Sequence, residues 1–223
     1  MPVFHLDKKL VFPPTQLAEP DGLLAAGGDL STQRLLLAYS SGIFPWYSEP
    51  PILWWSPHER FVLFPEELKV SASMKQVLKK ETFHITINQD FKGVISNCRK
   101  IFREGQDGTW ITREMQQAYI RLHQAGHALS VECWQKEQLV GGLYGVKLGN
   151  CFFGESMFAH VSNASKAAFI TFVRQAASQG LALIDCQVHT PHLESLGARF
   201  IPRDAFLQLI RQHTQGTTSQ DFS

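Results

Sequence analysis

Charge of either sign is scarce in this chain. Only 18% of its 223 residues are Asp, Glu, Lys or Arg, and 21 basic against 20 acidic residues leave a formal net charge of +1. That excludes a whole-protein attraction to nucleic acid or an acidic membrane, so any polyanion must be met by a local patch. Cysteine is sparse too. Cys98, Cys133, Cys151 and Cys186 lie far apart with no C-x-x-C pair, which argues against a zinc knuckle or a disulfide framework and leaves reduced, buried thiols. No uninterrupted apolar run reaches about 18 residues, so no membrane span is expected. The start, Met1-Pro2-Val3-Phe4-His5-Leu6-Asp7-Lys8-Lys9, has neither the basic segment nor the apolar stretch of a signal peptide, so a cytoplasmic protein is expected. A phosphate loop, a nucleophile elbow and clustered metal ligands are all missing. The 9 histidines show no ligand spacing, and neither metal nor cofactor is expected.

Apolar and aromatic residues are abundant instead. Hydrophobic residues make up 44% of the chain, with 16 Phe and 5 Trp, enough to build a sizeable core. The length suits one large domain or two small ones. Residues up to Phe64-Pro65 are rich in Pro, Gly and Trp around one short helix, which Ser31 caps and Gly42 ends. They read as a small, loop-rich N-terminal domain, 1–64, followed by a second domain, 65–223.

Beyond residue 64 the pattern turns regular. Alternation at Phe83-His84-Ile85-Thr86-Ile87 predicts a strand, and Asp90 and Thr112 each cap a helix with an apolar stripe. Strand-like runs follow at about 128–134, 138–147 and 151–154, joined by short polar turns as in an antiparallel meander. Asn163 opens a further helix, residues 181–186 read as a buried strand, and a short helix, a terminal strand and a helix over 204–213 complete the chain. The result is an α/β chain with a mixed sheet whose element order resembles the GNAT acyltransferase fold. One feature departs from it. GNAT enzymes hold the coenzyme A pyrophosphate on a glycine-rich turn before the helix that follows the fourth strand. Here Gly154-Glu155-Ser156-Met157-Phe158-Ala159-His160-Val161-Ser162-Asn163-Ala164-Ser165-Lys166 has no glycine after Gly154. Coenzyme A is therefore disfavoured, and a different acyl donor is needed.

A set of blocks then carries a closer resemblance: Gly22-Leu23-Leu24, Gly27-Gly28-Asp29-Leu30, Gly42-Ile43-Phe44-Pro45-Trp46, Trp54-Trp55-Ser56-Pro57, Gly108-Thr109-Trp110-Ile111-Thr112, Gly154-Glu155-Ser156-Met157-Phe158, Asn163-Ala164-Ser165-Lys166 and Ile184-Asp185-Cys186-Gln187. In that order, over about residues 10 to 210, they resemble the leucyl/phenylalanyl-tRNA-protein transferase family. The resemblance implies an enzyme that moves Leu, Phe or, less well, Met from aminoacyl-tRNA to proteins beginning with Arg or Lys, marking them for degradation. An aminoacyl ester is already activated. Its transfer needs a neutral amine, positioning and stabilisation of the oxyanion, without metal, ATP or another cofactor. A monomer is expected.

Site residues follow from the same resemblance. Asp185 and Gln187, two apart at a strand end, point to one face if the strand continues, and similar enzymes use this pair to handle the acceptor amine; strand-end capping is the plainer alternative. A Gln amide is no base near neutral pH, so positioning is favoured. Phe152, Met157, Phe169, Phe172 and Ile184 are expected to form the aminoacyl pocket, although by spacing alone all five read as core. Trp46 and Trp110 are expected to stack on the terminal adenosine of tRNA or else to pack at the domain interface, and Glu155 to hydrogen-bond there or at the donor's amino group or else to be a surface or loop carboxylate. Trp54, Trp55 and Trp134 read as packing residues. Lys75, Lys79 and Lys80, with Arg99 on the next helix, are expected to meet tRNA phosphates, or else form an ordinary solvated face. The rivals are an acetyl-coenzyme A N-acetyltransferase and a tRNA-binding module without catalysis.

Overall fold

A computed structural model of the chain describes residues 3–101 and 111–214. The first part is irregular and short-stranded: β1 (Phe4–Leu6), β2 (Leu23–Gly27), helix α1 (Thr32–Ser40), β3 (Phe44–Pro45) and β4 (Leu53–Trp55). The four strands form a small sheet in the order β1-β2-β4-β3. Ser31 caps α1 as expected, its Oγ accepting from Arg34 N at 3.3 Å.

The next strand, β5 (Glu59–Leu63), lies before residue 64 yet pairs in the larger sheet, between β10 (Leu183–Gln187) and β11 (Arg199–Pro202). Between β5 and β10 run α2 (Ala72–Lys79), β6 (His84–Ile87), α3 (Phe91–Lys100), α4 (Arg113–Gln124), β7 (Ala128–Gln135), β8 (Gln138–Leu148), β9 (Cys151–Ala159) and α5 (Ala164–Ser178). The short α6 (Pro191–Ser195) precedes β11, and α7 (Arg203–Thr214) ends the described chain. The sheet order is β11-β5-β10-β9-β8-β7-β6, with β9 and β10 parallel and the other neighbours antiparallel.

The mixed α/β sheet and the GNAT-like order expected from the pattern are thus observed. Caps formed as read: Asp90 Oδ1 accepts from Gly93 N at 2.8 Å and Thr112 Oγ1 from Met115 N at 3.1 Å. One expectation needs correction. The third meander strand runs to Ala159 rather than to residue 154, so Glu155 and Met157 belong to a strand and not to the turn before α5. Helix α2, capped by Ser71, and strand β5 carried no periodic signal long enough to be read.

Two cores sandwich the sheet. Helices α1, α3, α4 and α7 bury Leu35, Tyr39, Val94, Ile95, Tyr119 and Phe206 with the N-terminal strands on one face. On the other, α5, α6 and Met74 of α2 meet Leu129, Val131, Cys133 and Leu143. Strand alternation divides the sheet residues: Leu143 faces the second core and its neighbour Tyr144 the first.

Candidate active site

The parallel pair β9–β10 is the origin of the site. Its register runs Leu183↔Cys151, Ile184↔Phe152 and Asp185↔Phe153, and stops there. Just beyond, both strands are irregular. On β9, Gly154 faces Gly145 while Ser156 faces Tyr144, so Glu155 is the extra residue of a bulge. On β10, Asp185 faces Val62 while Gln187 faces Phe61, and Gln187 takes a left-handed φ of 62°. Bulges re-aim side chains. Here two at one level turn Glu155, Asp185 and Gln187 toward a single cavity. Gly145 is needed opposite them, because a Cβ there would come within 2.5 Å of the Phe152 ring.

The cavity has a volume of about 360 Å³. Of the five residues expected to form a pocket, Phe152, Met157, Phe169 and Ile184 line this cavity and Phe172 does not. Phe172 sits behind Phe152, ring centroids 4.7 Å apart and edge to face, and acts as its support. On the other side stand Phe44, Pro45 and Trp46 from the N-terminal sheet. Trp46 is 41% exposed and rests against Trp55 at 5.8 Å, so its ring borders both cavity and solvent. Trp54 is a packing residue as read, fully buried with its Nε1 donating to Gly27 O, whereas Trp134 is half-buried and donates to Thr86 Oγ1. Trp110 lies outside the described residues.

Asp185 is not a free carboxylate. It is 1% exposed, and Arg60 of β5 grips it with two bonds of 2.8 Å, Nε to Oδ1 and Nη2 to Oδ2. The Arg60 guanidinium lies over the rings of Phe44 (4.5 Å) and Phe206 (4.6 Å), and its Nη1 donates to Gly42 O at 3.2 Å. Gly42 closes α1 at φ 73°, where a Cβ would meet Leu207 at 2.4 Å. Asp185 Oδ1 also accepts from the backbone N of Gln187 at 2.9 Å, which holds the bulge. Gln187 in turn donates from Nε2 to Glu155 Oε1 at 2.8 Å.

Glu155 is buried at the first core. Tyr39 of α1 donates to its Oε1 and Tyr119 of α4 to its Oε2, each at 2.7 Å, and the two phenol oxygens also touch one another. Burial raises the Glu155 pKa to about 7, opposed by the bonds from Tyr119, Tyr39 and Gln187 and reinforced by Asp185. Both phenols are raised well above their ordinary value, chiefly by the same burial. The four cysteines are buried, and Cys133 and Cys151 are pushed up to about 12 by desolvation, so neither of these two is poised as a nucleophile.

The basic residues divide. Lys75, Lys79 and Lys80 are exposed at α2, on the α5 side of the sheet. Arg99 is on α3, on the opposite side, half-buried with Nε donating to Ile111 O. The structure therefore does not bring them into one patch.

Arg60, Tyr39 and Tyr119 escaped the sequence reading. Arg60 did leave a signal: a charge directly before the apolar run Phe61-Val62-Leu63-Phe64, in a buried strand, needs a partner. The tyrosines did not, since their rings fill apolar helix stripes and only their hydroxyls reach the site.

Among the described residues, no group of three or more His, Cys, Asp or Glu could hold a metal ion, and no helix is long and apolar enough to cross a membrane. Solved structures that align with the chain include L-PGS from Bacillus licheniformis (8% identity, TM-score 0.46, covering 87% of this chain and 72% of that one). A GCN5-related N-acetyltransferase-like protein from Streptococcus suis aligns at 15% identity and TM-score 0.36, covering 74% and 61%. Sequence relatives are far nearer. A leucyl/phenylalanyl-tRNA--protein transferase of Syntrophus aciditrophicus is 57% identical, over 98% of this chain and 92% of its own. One of Flavobacterium johnsoniae is 55% identical, over 94% and 99%. A family model described as leucyl/phenylalanyl-tRNA protein transferase matches residues 62–211, and another described as that family's N-terminal domain matches residues 28–58. With both models in sequence and near-full-length identity above one half, the chain belongs to the leucyl/phenylalanyl-tRNA protein transferase family, the aminoacyltransferases.

Proposed function

We propose that this protein transfers Leu or Phe, and Met less well, from aminoacyl-tRNA to the α-amine of proteins that begin with Arg or Lys, marking them for degradation in the cytoplasm. The observation that carries the reading is the cavity itself: an apolar chamber of Phe152, Met157, Phe169 and Ile184 meets a polar corner of Gln187, Glu155 and Asp185. An apolar donor side chain fills the chamber while its ester carbonyl stays at the corner. Apolar pockets separate such side chains by only about 1 to 3 kcal/mol per methylene, which suits a donor set of Leu, Phe and Met.

In the reaction the neutral acceptor amine attacks the ester carbonyl carbon, a C–N bond forms, and the C–O bond to the terminal ribose breaks. The proton lost by the amine ends on the ribose oxygen. The chain's share is positioning. Asp185, fixed by Arg60, holds the backbone of Gln187, and Gln187 presents its amide to the amine. Trp46 offers a face for the terminal adenine, a stack worth about 1 to 3 kcal/mol, with Trp110 as its expected partner. Both oxygens of Glu155 are engaged by Tyr39, Tyr119 and Gln187, which favours action through Gln187 over direct contact with the adenosine. Lys75, Lys79 and Lys80 are proposed to meet tRNA phosphates, with the N-terminal part before β5 as the unit supplying the adenosine platform. The active form is proposed to be a monomer.

The test is incubation with radiolabelled Leu-tRNA and peptides that begin with Arg, Lys or Asp. Label should enter the first two. Label in none of them, with acetyl-coenzyme A-dependent modification instead, would replace the reading by N-acetyl transfer.

A further inference from the structure

The hydrogens available around Glu155 are too few for its contacts unless the carboxyl carries one. Tyr39, Tyr119 and the carboxyl make three mutual contacts: Tyr39 to Oε1, Tyr119 to Oε2, and phenol to phenol. Two phenols supply two hydrogens. If Glu155 is ionised, both go to the carboxylate, and the phenol–phenol contact is left with two oxygens facing each other and no hydrogen between them. A third hydrogen completes the set. Gln187 cannot supply it: its Nε2 donates to Oε1, and an amide hydrogen stays on nitrogen and cannot lie between the two phenol oxygens. With the hydrogen on the carboxyl, each of the three groups donates once and accepts once around the circle.

We propose that Tyr39 and Tyr119 are positioning residues that close a three-proton hydrogen-bond ring with Glu155, and so hold it as a neutral carboxylic acid beneath Gln187. The groups facing this carboxyl are Tyr39 from α1, Tyr119 from α4, and Asp185 and Gln187 from β10, with Tyr144 of β8 beyond the two phenols and Arg60 of β5 beyond Asp185. Among them Asp185 disfavours a second negative charge, and the Arg60 charge is already matched by Asp185. Burial acts in the same direction and places the titration of Glu155 near 7.

The consequence for transfer rests on the function proposed above. A free α-amine titrates at about 7.7 to 8.0, so a nearby anion would hold it as ammonium, which has no lone pair for attack. A neutral Glu155 beside the matched Arg60–Asp185 pair leaves the corner without net charge. It also fixes Gln187, nitrogen toward Glu155 and carbonyl oxygen turned the other way, to accept a hydrogen bond from the amine.

Glu155→Gln is the discriminating variant, because its amide supplies the N–H that the ring requires and mimics the protonated acid. In infrared spectra at pH 6, the wild-type protein should show a protonated-carboxyl carbonyl band that is missing from Glu155→Gln and fades as the pH rises through 7. At the same pH, Glu155→Gln should melt close to wild type, whereas Glu155→Ala should melt well below both. Absence of that band from the wild-type-minus-variant spectrum, or a Glu155→Gln protein as unstable as Glu155→Ala, overturns the ring. Neither readout uses a substrate. Failure here would leave the transferase reading standing, and absence of transfer would leave the ring standing.

Discussion

Removing either partner of the Arg60–Asp185 pair should cost more stability than any other polar change at the site, and removing both should cost less than the sum. Both side chains are 1% exposed, and their two bonds of 2.8 Å leave neither charge accessible to water. Deleting one member of such a pair strands the other's charge, at about 3 to 5 kcal/mol. Arg60→Met stands at the upper end, because it also removes the bond to Gly42 O, about 1 kcal/mol, and the packing against the Phe44 and Phe206 rings. Asp185→Asn stands at the lower end, because the amide oxygen can still accept from Gln187 N. The double variant buries no charge, so the coupling should be about 2 to 3 kcal/mol. At roughly 2 to 4 °C per kcal/mol for a chain of this size, Asp185→Asn should melt some 6 to 12 °C below wild type. The measurement is urea unfolding followed by tryptophan fluorescence for all four proteins, with slopes compared so that only stability is read. Strict additivity, within about 0.5 kcal/mol, would refute the pair as a coupled unit. Single-turnover transfer, taken well below the melting range, should still show Asp185→Asn slowed by about tenfold to a thousandfold, the usual size of positioning and proton-transfer effects.

Met157→Ala, which widens the apolar chamber, should shift the Leu-to-Phe transfer ratio in competition between the two charged tRNAs; an unchanged ratio with a lowered melting temperature would assign Met157 to the core. Lys75→Ala with Lys79→Ala should weaken tRNA binding and flatten its salt dependence, by about 0.7 to 0.9 of log–log slope for each phosphate the variant no longer neutralises. Arg99→Ala, on the opposite side of the sheet, should leave that slope alone, and equal effects from both sides would reject the α2 patch. The Glu155 carboxyl is raised from 4.5 to about 7 on folding, so the folded state keeps the proton that the unfolded state loses in between. Its contribution is full below pH 4.5 and falls by about 3 kcal/mol as pH rises to 7. The wild-type-minus-Glu155→Gln stability difference, measured by urea unfolding from pH 5 to 8, should decline over that window, and a flat difference would contradict the raised pKa.

The elements with long periodic stripes, α3, α4, α5 and the meander, were legible because burial on one face stamps a period on the residues. Strand β5 was not. Five residues, opened by Glu59 and Arg60, carry too little pattern, and the strand enters the sheet by pairing with β10 and β11, far away in sequence. The pocket shows the same limit. Phe152, Met157, Phe169 and Ile184 line the cavity while Phe172 does not, and nothing in helical spacing separates Phe169 from Phe172, since both lie on the buried face of α5. Asp185 and Gln187 converge for a reason that strand alternation did not contain. The bulge and the left-handed turn at Gln187 break the two-residue period, and the Asp185 carboxylate holds that irregular backbone in place.

The buried polar groups share one physical logic. A carboxylate in a low-dielectric interior must find a counter-charge or take up a proton. The two carboxyls here take one course each, although they belong to adjacent strands. Asp185 lies where β5 can deliver Arg60, and the aromatic faces of Phe44 and Phe206 keep that guanidinium from water. Glu155 lies where α1 and α4 deliver only phenols, so protonation is the course left to it. Because Phe44 and Tyr39 come from the N-terminal part and Phe206 and Tyr119 from later helices, both solutions exist only when the two parts of the chain are docked. Docking thereby fixes the charge state of the polar corner as well as its shape, and a change at the interface, far from any reacting atom, should be felt in the chemistry through these two carboxyls.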